Sequence, residues 1–567
     1  MAILAKSKLF NSPKFDSSVK SANTTGWEKW LGYFFGPMGP AILNVTIISY
    51  ITVFYTDVLN MTGEGHSALW LGIFAAFPIV SKIIDAITNI LMGQVIEKTR
   101  TRQGKARPWI FISAPLLSIA CVLMFLIPQE QSVLQLCLVV LTYNVFFSFA
   151  YTIYNMSHTL MVPLSTTNVK QRDGLSLFTN MGVNMIPGVL VSMLFPMMIL
   201  PVIGVDYHKW MVTMIVIAAV ALPFTVLEYF FTKERVTEAA ISAGEEQKVS
   251  FKEQLKTCFS TKSWVLMILF MLAFNLMTNI QTVSLPYFCN WVLGSYNDGV
   301  TQTILSAVGK FPLGFGVFLL WPLVKKYGKR PVMIIGFSIA AAAMLLCLFF
   351  PHSLPMMLVG SMIFSIGFLP SYVASAVMAD TLDYVEYDKR VRVDGLTASI
   401  YTIIMTVSVG LCQGLHNLGI SLTGYVKPEV VNTLIDEAGK ETLVYNVQNA
   451  ATQNFIAFEY IGIPMIMLAI MALIMVFLKV EDKLPMVHKE LTARRRAECE
   501  ARGEVYVSPE EKAAAEQAEN DRIAEENRIK ELKEYCAKKD LKFEDEEAKY
   551  QAKLAEKQAK AAKKAKK

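Results

Sequence analysis

Paired cysteines are missing from this sequence. Its eight cysteines stand at 121, 137, 258, 289, 347, 412, 499 and 536 with no CxxC pair among them, so neither a disulfide scaffold nor a zinc site is indicated. No GxxxxGK[ST] stretch occurs, which argues against a nucleotide-driven pump. Charge is scarce over most of the length, since 22 of the 53 Lys+Arg and 21 of the 47 Asp+Glu lie beyond residue 479. The first 479 residues are therefore oilier than the whole-chain 53% hydrophobic content and mean hydropathy of +0.41. Those averages already exclude an ordinary soluble protein of this length. The amino-terminal segment sets Lys6, Lys8, Lys14 and Lys20 against one Asp16, without the short apolar core and cleavage site of a signal peptide.

Apolar runs fill that length. About twelve reach ~20 residues, centred near Asn44, Ile83, Leu117, Phe147, Asn184, Ala219, Leu272, Gly309, Ala340, Ile366, Val409 and Ile466. Lipid offers the backbone no hydrogen-bond partner and barrel-like alternation is absent, so each run is expected to be a helix. Basic blocks set the orientation: Lys98 to Arg107, VKQRDG at 169–174, KKYGKRP at 325–331 and YDKRVRVDG at 387–395. With the amino-terminal segment and the tail they are assigned to the cytoplasm, which requires an even number of spans. The protein is thus expected in the cytoplasmic membrane, multi-pass, with both termini inside and the lipid bilayer as its surroundings.

Two loop signals repeat. GKARP begins at Gly104 and GKRP at Gly328, while DGLS begins at Asp173 and DGLT at Asp394, a common period of about 220 residues. The expected organisation is an amino-terminal segment 1–28, a six-helix half 29–231, a central loop 232–263, a second six-helix half 264–480 and a charged helical tail 481–567. This all-α membrane plan is that of the major facilitator fold, with the substrate between halves that rock around it. In the tail, Ser508 to Glu511 supply an N-cap, a first-turn proline and a capping-box glutamate.

Hydrocarbon penalises polar groups, so those inside the spans need a reason. In the second helix Lys82, Asp85, Thr88/Asn89 and Gly93 form one stripe; the fourth carries Asn144, Ser148, Thr152, Asn155 and His158/Thr159. The fifth offers Ser176, Thr179/Asn180 and Asn184, and the eleventh Thr402, Thr406, Gln413 and His416/Asn417. Facing one another, such stripes enclose an aqueous cavity. A bland alternative exists at each position: hydroxyls bond their own backbone, Lys82 and Asp85 neutralise each other, Lys310 snorkels, and GPMGP at 36–40 serves close packing rather than a bend.

The stretch IIDAITNILMGQVIEKTRTRQGKARPW at 83–109 resembles a pattern, DAxxDPxxGxxxDRTRTRxGKxRPW, of the glycoside-pentoside-hexuronide:cation symporter family. FYTDVLNM at 54–61, YTIYNMSHTLMVP at 151–163 and DTLDYVEYDKRVRVDG at 380–395 extend the resemblance over roughly residues 27 to 480. It implies a secondary active transporter, not an enzyme, moving a sugar or glycoside by alternating access as an H+ or Na+ symporter. No cofactor beyond the co-transported ion and no nucleic acid partner is expected. The alternative is an uncoupled facilitator, or a transporter or exporter of another neutral or amphiphilic solute.

Departures from the pattern matter here. Asn89 and Ile90 stand where the family has aspartate and proline, and Asn155, Asn180 and Thr406 stand where its melibiose permease has charges. The implied cation-coupling set is Asp85, Thr88, Asn89 and Asn155. Amides and hydroxyls suit sugar hydroxyls, so Asn155, Thr159, Asn180, Thr402 and Thr406 are the expected substrate contacts, with Tyr401, Tyr151 or Tyr154 as a ring platform. Asp380, Asp383 and Glu386 share one helix face, and Arg107, Arg172 and Arg392 sit in the matching basic loops, where the charges alternatively serve only to enforce topology. By the resemblance, these six form a salt-bridged cytoplasmic gate.

Overall fold

The computed structural model describes residues 3–4, 7–8, 10–62, 66–236, 251–296, 299–435, 441–501, 503, 507 and 509–565. Residues 237–250 of the expected central loop, the capping residue Ser508 and the side chain of Lys310 lie outside the described residues. The first half comprises α1 (Glu28–Val58), α2 (Ala68–Lys98), α3 (Arg107–Phe125), α4 (Val133–Ser165), α5 (Val169–Ile203) and α6 (Tyr207–Phe231). After a surface helix at Phe251–Ser260 come α7 (Lys262–Leu293) and α8 (Val300–Tyr327). There follow α9 (Lys329–Phe349), α10 (Leu354–Lys389) and α11 (Asp394–Leu422), then α12 at 450–477. A hairpin of β1 (Val430–Ile435) and antiparallel β2 (Glu441–Tyr445) joins α11 to α12. Among the described residues, 11 helices are long and apolar enough to cross a membrane; α8, described in part, completes the bundle. The tail adds α13 (Leu484–Ala501), α14 (Pro509–Lys539) and α15 (Phe543–Ala565).

Local chemistry starts these helices. Ser67, Ser132, Asn168, Asp206 and Asn449 each accept a backbone N–H at an N-terminus, for α2, α4, α5, α6 and α12, relieving donors that the helix itself leaves unpaired. Gly36 and Gly39 of GPMGP act by closeness: a Cβ on either would fall 2.6 Å from Glu228 or from the Ala221 carbonyl of α6. Close packing of α1 on α6 is therefore what this motif does here.

The repeated GK(A)RP loop turns out to be a staple. The Glu234 carboxylate, just past α6, accepts the backbone N–H groups of Lys105, Ala106 and Arg107 at 2.9 Å each. Arg107 in return donates from Nε and Nη2 to the Tyr229 carbonyl at 3.2 and 2.8 Å. In the second half Glu481 accepts the N–H groups of Lys329 and Arg330 at 2.7 Å. Arg330 then donates to the Met475 and Val476 carbonyls at 2.9 and 2.7 Å. In both copies an acid caps a third helix, favoured by its dipole, and an arginine satisfies the last carbonyls of the sixth.

In this structure Arg107 serves the staple and meets none of the acids of the expected gate. It is 2% exposed and wholly engaged inside its own half. Arg107→Ala is expected to strand a buried carbonyl, at a cost of about 1–3 kcal/mol. A lowered thermal midpoint in detergent, matched by Arg330→Ala, is the expected readout; a change in transport rate at unaltered stability would favour the gate.

Candidate functional site

The halves meet along α2 and α11, where glycines let the helices close in: a Cβ on Gly410 or Gly414 would lie 2.5 or 2.6 Å from the Pro78 or Ala75 carbonyl. Termini and the α4–α5 connection share one face, since Asn23 donates to the Ala524 carbonyl at 2.7 Å, Asn168 of that loop donates to Asp521 at 3.1 Å, and Lys170 at the start of α5 pairs with Asp521. The opposite, distal face is sealed by polar contacts between halves. Asp57 at the end of α1 is 4% exposed and accepts Tyr296 Oη at 2.8 Å and Tyr425 Oη at 2.6 Å from the second half. Thr56 adds a bond to Asp57 and one to Tyr287 Oη, both 2.7 Å. Gln302 donates to Tyr50 Oη at 3.0 Å, and Asn417 to the Phe74 carbonyl at 3.2 Å.

The terminal face differs. No ion pair there between described residues joins one half directly to the other. Asp380 pairs with Lys329 at 2.6 Å, Asp383 with His488 at 3.5 Å, and Glu386 with Arg392 at 3.0 Å and Arg495 at 3.1 Å. Arg392 also bonds Asp394 at 2.5 Å. Arg172 is exposed and pairs with no acid among the described residues. In this conformation the expected cross-half gate is not formed, because its acids are taken by partners nearer in the chain and in the tail.

Two cavities flank α1 between the halves. The smaller, about 190 Å³, is lined by Asn44 of α1, Lys82, Asp85 and Asn89 of α2, Tyr151, Thr152 and Asn155 of α4, and Thr406 of α11. Six residues of the anticipated polar stripes, Lys82, Asp85, Asn89, Thr152, Asn155 and Thr406, are brought together there. Lys82 Nζ lies 2.9 Å from Asp85 Oδ2 and 4.3 Å from the centroid of the Phe147 ring beneath it; the two residues are 5% and 7% exposed. Opposite charge and the ring's negative face make that ammonium tolerable in a dry setting. Asp85 Oδ1 and Asn44 Oδ1, by contrast, are buried acceptors with no donor among the described residues. The larger cavity, about 520 Å³, has an apolar wall of Val45, Met185, Val189 and Phe311 with Ser49, Asn184, Gln302 and Ser306 set into it.

Other anticipated contacts are not on these walls. Thr88 donates to the Ile84 and Asp85 carbonyls at 3.1 and 3.0 Å, Thr159 to Asn155 at 2.7 Å, and Thr402 to Ala398 at 3.0 Å. Each hydroxyl satisfies its own helix, as helical threonine does. Asn180 is exposed and accepts from Asn184 at 3.3 Å, and it is Asn184 that reaches the larger cavity. Tyr401 packs against the apolar core. His158 is paired with Glu228 at 2.6 Å, deep within the first half, with Tyr154 donating to the same carboxylate at 2.8 Å.

Asn44, Ser49, Gln302, Ser306 and the Asp57 cluster were not picked out by sequence reasoning. Isolated neutral residues in apolar runs make no stripe. Asp57 stands where a span ends, and charge is cheap there.

Two matched six-helix halves, joined at one face and holding a polar cavity between them, define a membrane transporter of the major facilitator type rather than an enzyme. The profile of the family described as MFS/sugar transport protein matches residues 32–482, and the chain belongs to that family. Similar proteins include the uncharacterized symporter YjmB of Bacillus subtilis (strain 168), 27% identical over 73% of this chain and 87% of the relative. The isoprimeverose transporter of Lactiplantibacillus pentosus is 23% identical over 85% of this chain and 95% of the relative. Among solved structures, a bacterial homolog of the human lysosomal transporter Spinster, inward-facing and unoccupied, superposes with TM-score 0.53 at 13% identity. That match covers 82% of this chain and 98% of the other and is a likeness of fold alone. The protein is a multi-pass secondary transporter.

Proposed function

We propose that this transporter carries a neutral sugar or glycoside across the cytoplasmic membrane, its terminal face in the cytoplasm, with H+ or Na+ coupled at Asp85. One observation carries the reading: among the described residues Asp85 Oδ1 and Asn44 Oδ1 are acceptors without a donor on one inter-half cavity, and a sugar hydroxyl or a cation is what such oxygens require. Asn89, Asn155 and Thr406 add neutral donors and acceptors beside them. Basic loops on the terminal face support the orientation. The relatives' names, an isoprimeverose transporter among them, support the substrate class, and symporter names support coupling.

Neutrality of the substrate follows from charge. Lys82 is the one cation lining either cavity among the described residues, and it is committed to Asp85, so a uronate carboxylate finds no free partner. Proteoliposomes offered labelled neutral glycosides, pentoses and uronides, with and without sodium and proton gradients, test this. Uptake of a neutral member, unaffected by excess uronide, is expected; preferential uronide uptake removes the neutrality argument, and no uptake of any solute removes the substrate class. An uncoupled facilitator is the second reading, favoured by the Lys82 ammonium already standing 2.9 Å from Asp85, where an incoming cation would have to compete.

A further inference from the structure

The tail lies beyond the family match, which ends at residue 482, and it holds both halves at once. On the second half, α13 packs against the inner end of α10 with Val487 and Leu491 buried. Its Arg495 pairs with Glu386 at 3.1 Å, its His488 lies 3.5 Å from Asp383, and its Arg494 donates to the Tyr387 carbonyl at 2.9 Å. On the other side, α14 presents Asp521 to Lys170 Nζ at 2.5 Å and Asn168 Nδ2 at 3.1 Å of the first half, and Glu531 to Ser21 Oγ at 2.8 Å of the amino-terminal segment. The helix is stiffened by α15, where Arg528 pairs with Glu547 at 2.7 Å and lies 4.0 Å from the Tyr550 ring centroid.

The charges bound by the tail matter more than their number. Asp383 and Glu386 are acids at the inner end of α10, and in the first turn of α5 Lys170 stands two residues from Arg172, which pairs with no acid among the described residues. The resemblance to the symporter family implies that these acids and the basic start of α5 pair as a latch when the terminal face closes. The tail's His488 and Arg495 meet the acids, and its Asp521 meets the base. It therefore competes with closure from both sides.

We propose that the C-terminal tail is a built-in brake: docked on both halves, it occupies the latch charges and holds the terminal-face-open conformation. This rests on the alternating-access reading above. The contacts are largely at the surface, individually weak and screened by salt, which suits a brake that has to release in each cycle.

The test uses the full chain in proteoliposomes, with charge reversals in the tail and, in the halves, only a cysteine reporter and one compensating charge swap. Arg495→Glu combined with Asp521→Lys is expected to raise the rate of substrate exchange by roughly threefold to tenfold, the sum of a few surface ion pairs. It should also reduce labelling of a Thr406→Cys reporter by a thiol reagent applied from the terminal side. Adding Lys170→Asp to Asp521→Lys restores that pair with reversed sign, and the rate should fall back toward the parent. Raising ionic strength should accelerate the parent and leave the doubly substituted protein unmoved. Unchanged exchange and labelling in the charge-reversed tail overturn the brake while transport itself persists. Failure of the parent to transport any glycoside tells against the functional reading instead. Slower exchange that the Lys170→Asp swap does not reverse marks the tail as a structural prop and also overturns the proposal.

Discussion

Asp85→Asn is expected to abolish uphill accumulation, bringing the internal-to-external substrate ratio to unity. The carboxylate is the acid on the smaller cavity, and its unpaired Oδ1 is the oxygen on which a proton or sodium ion would land. An amide removes the charge that makes a cation favourable there, worth on the order of 4 kcal/mol for a contact at intermediate dielectric. The substitution also strands Lys82, and breaking a buried pair from one side costs about 3–5 kcal/mol. The cleaner variant is therefore Asp85→Asn with Lys82→Met, which removes both charges and keeps the volume. Downhill exchange by that double variant, with gradient-driven accumulation lost, separates coupling from folding. Undiminished accumulation by the double variant would remove Asp85 from the mechanism, and a parent that never accumulates substrate supports the uncoupled reading.

Asp57→Ala is expected to unlock the distal face. Three hydroxyls, from Thr56, Tyr296 and Tyr425, converge on this carboxylate, and the two tyrosines come from the opposite half. Hydrogen bonds to a buried charged group are worth about 1.5–3 kcal/mol each. Loss of the two cross-half bonds, discounted for hydration of the opened state, shifts the conformational balance by on the order of 3 kcal/mol, about a hundredfold. A Ser49→Cys reporter on the larger cavity, in a background lacking the exposed Cys137, should become reactive to an impermeant thiol reagent from the distal side, while net transport falls. Asp57→Asn keeps one acceptor and should fall between. Distal labelling that stays at the parent's level would show that the seal rests on apolar packing of α2 against α11 instead.

The fate of particular residues shows how far a sequence can be read. Asp85, Asn89, Asn155 and Thr406 were visible because polar groups at helical spacing in an apolar run are expensive, and the expense marks a face. The same argument overreached at Thr88, Thr159 and Thr402. A hydroxyl can satisfy itself one turn back, and spacing alone does not distinguish that from a cavity contact. Arg107 was visible as a repeated motif, yet repetition says only that a job is done twice. The partners, Glu234 and the Tyr229 carbonyl, lie more than a hundred positions away, and only they identify the job as a staple.

Hydropathy, loop charge and the period of about 220 residues sufficed for the class of molecule, because the cost of burying a polar group in lipid is paid locally and leaves its mark in the order of residues. Which face is shut, which acids the tail has claimed and which oxygens stand unpaired on the cavity depended on helices distant in the chain meeting side by side. Those contacts are short in space and long in sequence, and they exist only once the two halves have packed.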